Sequence, residues 1–426
     1  MLDINFIRHN PDKVQQAADN KGIAISVSEL LDYDQKRREF IQEIDTLRAE
    51  RNKVSKEVPK LKGDEKKLAI QRVKEVNVKL SELEAQFEEV NKRFNDLMLL
   101  VPSVPLDDVP VGETDEDNVE IRKEGIIPEF DFPIKDHVTL GEMHDMIDIP
   151  RGVKIAGSRM YFLKGKGAML HRAVIQLTLD FLAKRNFTPM VVPVMVHEKA
   201  MYGTGYFPLG KEQTYVTLDD TPMNFVGTAE VPLVSYYSDE VLDVSQLPIR
   251  MAGVSDCFRR EVGSAGKDTR GLYRVHQFTK VEQVVIAPAD PVISEQIHYE
   301  LLSNAEEILK LLELPYRVVE VCTGDMGQGQ VKKHDIETWM PSREKYSETH
   351  SCSSFFDFQA RRSGIKYKDE TGRSKFCYTL NNTAIASPRI LIPLLENHQQ
   401  ADGSIYIPKA LRPYLDGVEK FELENE

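Results

Sequence analysis

The stretch CFRREVGSAGKDTRGLYRVHQFTKVEQ, residues 257–283, crowds reactive side chains into one short segment. Arg259, Arg260 and Glu261 precede a glycine-bearing loop, and Arg274, His276, Lys280 and Glu282 follow it. A guanidinium presents a rigid fork of donors matched to phosphate oxygens, which suits Arg259 to a phosphoryl ligand. Glu261 can accept from an amine or hydroxyl, and the Phe278 ring offers a flat surface to another aromatic ring. Alternation with period two puts Arg274, His276, Phe278, Lys280 and Glu282 on one face. Tyr273, Val275, Thr279, Val281 and Val285 take the other, which is expected on a core. The charged face then looks onto a solvated cleft or ligand site. A sheet face tiled with cross-strand ion pairs would use the same residues, so the segment alone leaves both readings open.

Positioning these groups requires a scaffold. IRMAGVSDCFRR (249–260) and LYRVHQFTKVEQVVIA (272–287) read as the two strands of a hairpin, with EVGSAGKDTRG as its turn. Over 121–426 helical and strand patterns mix without regular alternation. That predicts an α+β domain on an antiparallel sheet flanked by helices, not a doubly wound parallel sheet. Segment 101–120, VPSVPLDDVPVGETDEDNVE, is rich in proline and acid and reads as a linker. Upstream, within 1–100, Val73, Val76, Leu80, Leu83, Phe87, Val90, Phe94 and Leu97 step by three and four. Phe40, Ile44, Leu47 and Val54 keep the same spacing, and Pro59 and Gly63 interrupt between the two runs. Two long helices joined by one turn predict an antiparallel helical hairpin.

The chain has 426 residues and a net charge of −13, which argues against a general nucleic-acid binder. Its charge is unevenly spread. Arg51 to Lys74 holds nine Lys or Arg against Glu57, Asp64 and Glu65. A local basic element on an acidic body fits selective contact with a polyanion. Apolar runs such as MVVPVMV (190–196) are far too short to span a membrane. The start, MLDINFIRHNPDK, lacks an apolar leader pattern, so the expected location is the cytoplasm. Four cysteines without a C-x-x-C pair speak against a disulfide framework or structural zinc.

FRRE (258–261) resembles motif 2 of the class II aminoacyl-tRNA synthetases, and GSAGKDTRGLYRVHQFTKVE is similar to the seryl-tRNA synthetase family specifically. MLDINFIR, LRAERNKVSKE, RGVKIAGSRMYFL, TAEVPL, SCSSFFDFQARR and LLENHQ resemble that family in the same order along the chain. The resemblance implies an antiparallel catalytic sheet preceded by a helical arm that binds the long variable arm of tRNA(Ser). Arg51, Lys53, Lys56, Lys60 and Lys62 would make that contact. It also implies a homodimer built on a helix near 171–184 and the strand FTPMVVPVMV (187–196), whose Pro189 and Pro193 suit only an edge or irregular strand.

For ATP, the resemblance implies Arg259 on the α-phosphate, with Arg260 and Glu261 completing the contact. Val275 would meet the adenine edge through its backbone, and Phe278 would stack on the ring. Glu348, Thr349, His350 and Ser351 (ETHS) match positions for ATP, and Glu348 and Ser351 those for Mg²⁺. Arg389 would cover adenine and γ-phosphate from the first turn of a helix, with Ser387 as its N-cap and Pro388 as its first residue. L-serine maps to Thr228, Ala229, Glu230, Glu282, Asn381 and Thr383. The chain departs from the commoner family pattern in NNTAIA (381–386), where Asn382 and Ala384 replace glycines, and in ETHS. The implied activity is a serine–tRNA ligase. Its rivals are a relative charging a non-tRNA acceptor, which would not need the basic arm, and an inactive binding paralogue, which would not need Arg259, Glu261, Glu282, Glu348 and Arg389.

Overall fold

The computed structural model describes residues 1–263, 268 and 270–423, so residues 264–267 and 269 of the expected EVGSAGKDTRG turn lie outside the described residues. The chain forms two compact units, Met1–Pro102 and Ser103–Glu426.

In the first unit, α1 (Ile4–His9) and α2 (Pro11–Asn20) precede the long pair α3 (Val27–Glu57) and α4 (Gly63–Leu100). Ser26 caps α3 by accepting from the Glu29 N–H. A short 3₁₀ turn at Val58–Lys60 and a left-handed Gly63 (φ 58°) reverse the chain, as the proline and glycine predict. The heptad residues meet as expected: Ile44, Val76 and Leu80 are buried, with Phe40, Leu47, Leu83 and Phe87 packed against them. With 31 residues, α3 is roughly 45 Å long. Along the shaft, cations pair across to the other helix: Arg93 with Glu29 and Arg48 with Glu84, both at 2.7 Å, and Lys79 with Glu43 at 2.9 Å. Exposed pairs contribute little stability, so their main effect is to favour one register. At the turn the pattern changes. Lys53, Lys56, Lys60 and Lys62 are exposed and, among the described residues, carry no ion pair.

The second unit is built on an eight-stranded sheet. Its strands are β1 (Val119–Glu124), β2 (Thr188–Val191), β3 (Ile249–Phe258), β4 (Gln277–Ala287), β5 (Tyr316–Glu320), β6 (Lys332–Met340), β7 (Lys345–Phe356) and β8 (Tyr378–Ser387). They lie in the order β1-β5-β6-β7-β8-β4-β3-β2. Every pairing is antiparallel except β2 with β3, at the edge, where Pro189 leaves no interior ladder bond unmade. Both faces are covered. Val281, Val285, Leu380 and Ile385 pack under the helices Lys166–Ala183 and Pro291–Leu311. Val284 and Ile286 face Leu233, Ala360 and Ile365 on the opposite side. Period two then puts Phe278, Lys280 and Glu282 on that opposite face, beyond the apolar patch. The stretch from 103 onward is an extended connection that belongs to this unit: the Leu106 N–H bonds to the Val331 carbonyl, and Val109 packs on Val321 and Met326.

Candidate active site

The ladder of β3 with β4 ends at Phe258 opposite Gln277, and one more bond, from the Arg259 N–H to the His276 carbonyl at 3.0 Å, carries it just past the strands. Residues 272–276 are therefore not strand, contrary to the alternation reading. Gly271 has φ 83°, and a Cβ there would run into the His137 ring. The next residue, Leu272, donates its N–H to His137 Nε2 at 3.1 Å, while His137 Nδ1 meets the Glu396 carboxylate at 2.8 Å. Pinned this way, Leu272 is buried, and Tyr273, expected on the core, lines the ligand cavity.

Two adjoining hollows share Arg259, Glu261, Glu348 and Arg389. The Arg259 guanidinium lies 5.2 Å above the Phe278 ring and donates to the Gly227 carbonyl at 3.3 Å. Glu261, in a left-handed conformation (φ 51°), accepts from Arg274 at 3.2 Å. Arg389 donates to the carbonyls of Tyr273 and Glu348, both at 3.1 Å. Desolvation at the cleft wall pushes the Glu348 carboxyl up, but Arg389, Lys333, Arg259 and Arg274 outweigh it and hold the pKa below its ordinary value.

Deeper in, a buried polar cluster replaces the solvated face expected from the sequence. Lys280 and Glu282 form an ion pair, and the Lys280 ammonium also reaches the Thr383 hydroxyl at 3.4 Å. Thr228 donates to Glu282 at 3.3 Å. Beside them Glu230 accepts from Gln359 Nε2 at 2.6 Å and from the Tyr206 hydroxyl at 3.0 Å. Burial, and then the neighbouring Glu282, push the Glu230 carboxyl up to about 7. With Glu230 ionised, two carboxylates face one ammonium and the cluster is one positive charge short, which an ammonium-bearing ligand would supply.

The remaining expected residues divide. Thr349 lines the cavity, with its hydroxyl 2.7 Å from that of Thr338. Val275 lines it too. His350 is buried and turned to Thr349 at 2.8 Å, and desolvation drops its pKa to about 4. Arg260 is exposed, its N–H bonded to the Gln213 carbonyl at 2.9 Å. Ala229 is fully buried ahead of the short helix Glu230–Ser235, and Asn381 is buried opposite Ser353. The helix expected at Pro388 begins at Leu391, since β8 continues to Ser387 and the Ser387 hydroxyl is taken by His171 at 2.8 Å. Arg389 thus stands in the turn before that helix, held by carbonyls instead of lying in a helical first turn. The glycine replacements are accommodated without a loop: Asn382 donates to the Leu301 carbonyl at 2.7 Å, and Ala384 lies in the core.

Glu348 and Ser351 supply a carboxylate and a hydroxyl, and Ser351 is the cross-strand partner of Asp335, whose Oδ1 is buried without a hydrogen-bond partner. Oxygen donors of this kind fit a hard divalent cation that keeps other ligands of its own. Sequence reasoning missed Lys280, Tyr273, Tyr206 and Gln359 as site residues. Lys280 was within reach, because it shares its face with Phe278 and Glu282.

The chain matches the family model described as tRNA synthetase class II core domain (G, H, P, S and T) over residues 220–398 and that of the seryl-tRNA synthetase N-terminal domain over 1–105. A serine–tRNA ligase of Deinococcus radiodurans is 48% identical over 98% of both chains. The chain belongs to the seryl-tRNA synthetase family. A second such ligase, from Symbiobacterium thermophilum, is 44% identical over 97% of this chain and 98% of its own. Among solved structures, a seryl-tRNA synthetase of Pyrococcus horikoshii complexed with ATP superposes over all of both chains with TM-score 0.92 at 37% identity. A Naegleria fowleri serine–tRNA ligase in complex with AMP gives TM-score 0.88 at 29% identity, covering 100% of this chain and 99% of its own. The α+β architecture and the helical arm are those of seryl-tRNA synthetases. Among the described residues, no helix is long and apolar enough to cross a membrane.

Proposed function

We propose that this chain activates L-serine with ATP and transfers the seryl group to the 3′-terminal adenosine of tRNA(Ser). The observation that carries the reading is the adjacency of two unlike sites. One is an arginine-lined cleft around Arg259 and Arg389, and the other is the charge-deficient buried cluster of Glu230, Glu282 and Lys280. The first suits phosphates and a purine, the second a small zwitterion with a hydroxyl.

In this reading the ATP triphosphate lies along Arg259 and Arg389, and the adenine ring rests on Phe278. The serine ammonium faces Glu230 and its hydroxyl faces Glu282 and Thr383. One serine carboxylate oxygen attacks the α-phosphorus in line, the bond to the β-phosphate bridging oxygen breaks, and pyrophosphate leaves. Arg259 meets the charge that grows on the α-phosphoryl oxygens, so the gain is one of position and fixed charge. Glu348 and Ser351 would hold Mg²⁺, which when bound neutralises phosphate charge. The 3′-hydroxyl of the tRNA then attacks the seryl carbonyl carbon and AMP departs. The unpaired lysines at the arm's turn, together with Arg51, supply the cationic surface for tRNA. The protein works as a homodimer in the cytoplasm. Pyrophosphate exchange measured with each of the twenty amino acids tests the core of this: serine alone should support rapid exchange, and a different preferred amino acid would overturn it.

A further inference from the structure

Two guanidinium groups lie over the Tyr273 ring. Arg389 lies 4.4 Å from its ring centroid, and Arg343, from the turn between β6 and β7, lies 4.2 Å from it. A cation gains from the negative face of an aromatic ring, more so when partly desolvated. Two cations that would repel each other are here both attracted by one ring. Each is also anchored by further bonds. Arg343 pairs with Asp268 and donates to the Ser347 hydroxyl at 3.2 Å. Arg389 donates to the Tyr273 carbonyl with Nε and to the Glu348 carbonyl with Nη1. The same residue thus holds Arg389 twice, by its ring and by its backbone. The Tyr273 hydroxyl adds only a 3.4 Å contact to the Glu348 carbonyl.

We propose that Tyr273 is a positioning residue for ATP, stacking Arg389 against its ring so that the guanidinium faces the nucleotide cleft before ATP arrives. Arg343, held by Asp268, braces the ring. A long arginine left free would lose rotamer freedom on binding, and the stack removes that loss in advance. The inference rests on the proposed reaction for its kinetic readout, while direct nucleotide binding reads it independently.

The experiment uses the full chain with Tyr273→Leu, Tyr273→Phe and Arg343→Gln. In serine-dependent exchange, Tyr273→Leu should raise the KM for ATP roughly three- to thirty-fold, the range of a cation–ring contact, with the KM for serine within about twofold of wild type. Tyr273→Phe should restore the ATP value, because the ring is kept. Arg343→Gln removes the brace without opening the core and should raise the ATP KM by about threefold, so a misfolded leucine variant still leaves a test. A KM for ATP unchanged in both the leucine and glutamine variants overturns the proposal. Equal rises for ATP and serine overturn it also, since that is a structural defect. A phenylalanine variant as impaired as leucine would assign the effect to the hydroxyl and reject the stack. If wild type shows no serine-dependent exchange, the reaction assigned above fails. Calorimetric titration of the same proteins with a non-hydrolysable ATP analogue then decides the role of Tyr273 on its own.

Discussion

Glu282 and Thr383 are register partners across β4 and β8, and the Thr383 hydroxyl stands 3.5 Å from a Glu282 carboxylate oxygen. A bulge in the ladder directly after Thr383 fixes this pairing at the point where β8 bends past the cavity. An acceptor and a donor–acceptor thus face one spot, the arrangement that reads a hydroxyl.

Serine and alanine differ by that hydroxyl alone. A site that hydrogen-bonds a substrate hydroxyl is left with unpaired polar groups by the analogue lacking it, and can reject that analogue by about 10⁴–10⁵. Glu282→Gln should lower serine activation by roughly 1.5–3 kcal/mol, the worth of a hydrogen bond to a charged group, and alanine activation much less. Because Lys280 loses its partner, folding is checked by circular dichroism, and Thr383→Val is measured beside it. Exchange kcat/KM for both amino acids gives the answer; an unchanged serine-to-alanine ratio in both variants removes the pair from specificity.

Arg259→Ala should reduce exchange by about 10²–10³, the usual cost of one preorganised donor at a developing charge. Its cleft-side bonds, to the Gly227 carbonyl and over Phe278, are not core contacts, so the melting temperature should hold. Exchange near wild type would take Arg259 out of the mechanism.

Glu230 predicts a pH dependence. Its pKa rises from 4.5 to about 7 on folding, through burial and then Glu282. Between those values the folded chain keeps a proton that the unfolded chain has lost, so this group's contribution to stability falls as pH rises across the window. Serine binding through its ammonium wants the ionised form. Affinity for serine should therefore increase with pH up to about 7 and then level, and Glu230→Gln should flatten the profile. Calorimetric titration at a series of pH values reports both; a flat wild-type curve sinks the assignment.

Replacing residues 35–95 by a short linker should abolish tRNA charging and spare serine-dependent exchange. The finer variant changes Lys53, Lys56, Lys60 and Lys62 to glutamine, which should weaken tRNA binding and make it less steeply dependent on salt, since fewer counterions are released. Normal charging efficiency by the armless protein would make the arm structural.

The second unit leaves Val191 on the edge strand β2 88% exposed, with Ile155, Phe162 and Met169 also open to solvent. The homodimer proposed above would cover apolar side chains of this kind, so light scattering at micromolar concentration should give twice the chain mass. A monomer would falsify the dimer.

Much of this was legible in the sequence, for identifiable reasons. The heptad residues from Val73 to Leu97 declare the arm because a seam of two helices repeats one local rule many times. Arg259, Glu282 and Arg389 were reached through motif resemblance; the structure puts Arg259 and Arg389 on one cleft and Glu282 in the buried cluster beside it, next to the cleft-lining Thr383. Tyr273 was misplaced because alternation assumes that a strand runs back to Leu272, and the interruption comes from His137, distant in sequence. Pro388 read as a helix start because local rules cannot see His171 occupying the Ser387 hydroxyl. Alternation likewise gave Lys280 and Glu282 their common face but not their burial, which is set by whatever the fold places above them.

The order of the strands carries a consequence for how the two units come to exist. In the arm, each contact joins residues across one tight turn, so it can form early and by itself. The catalytic cleft draws on β3, β4, β7 and β8, and the sheet that holds them is completed by pairings as remote as Val119 with Glu320. No fragment of the chain encloses that cleft. During synthesis the helical arm emerges first, while nucleotide binding must wait until nearly the last strand has been made, so a truncated product can carry the arm yet never spend ATP.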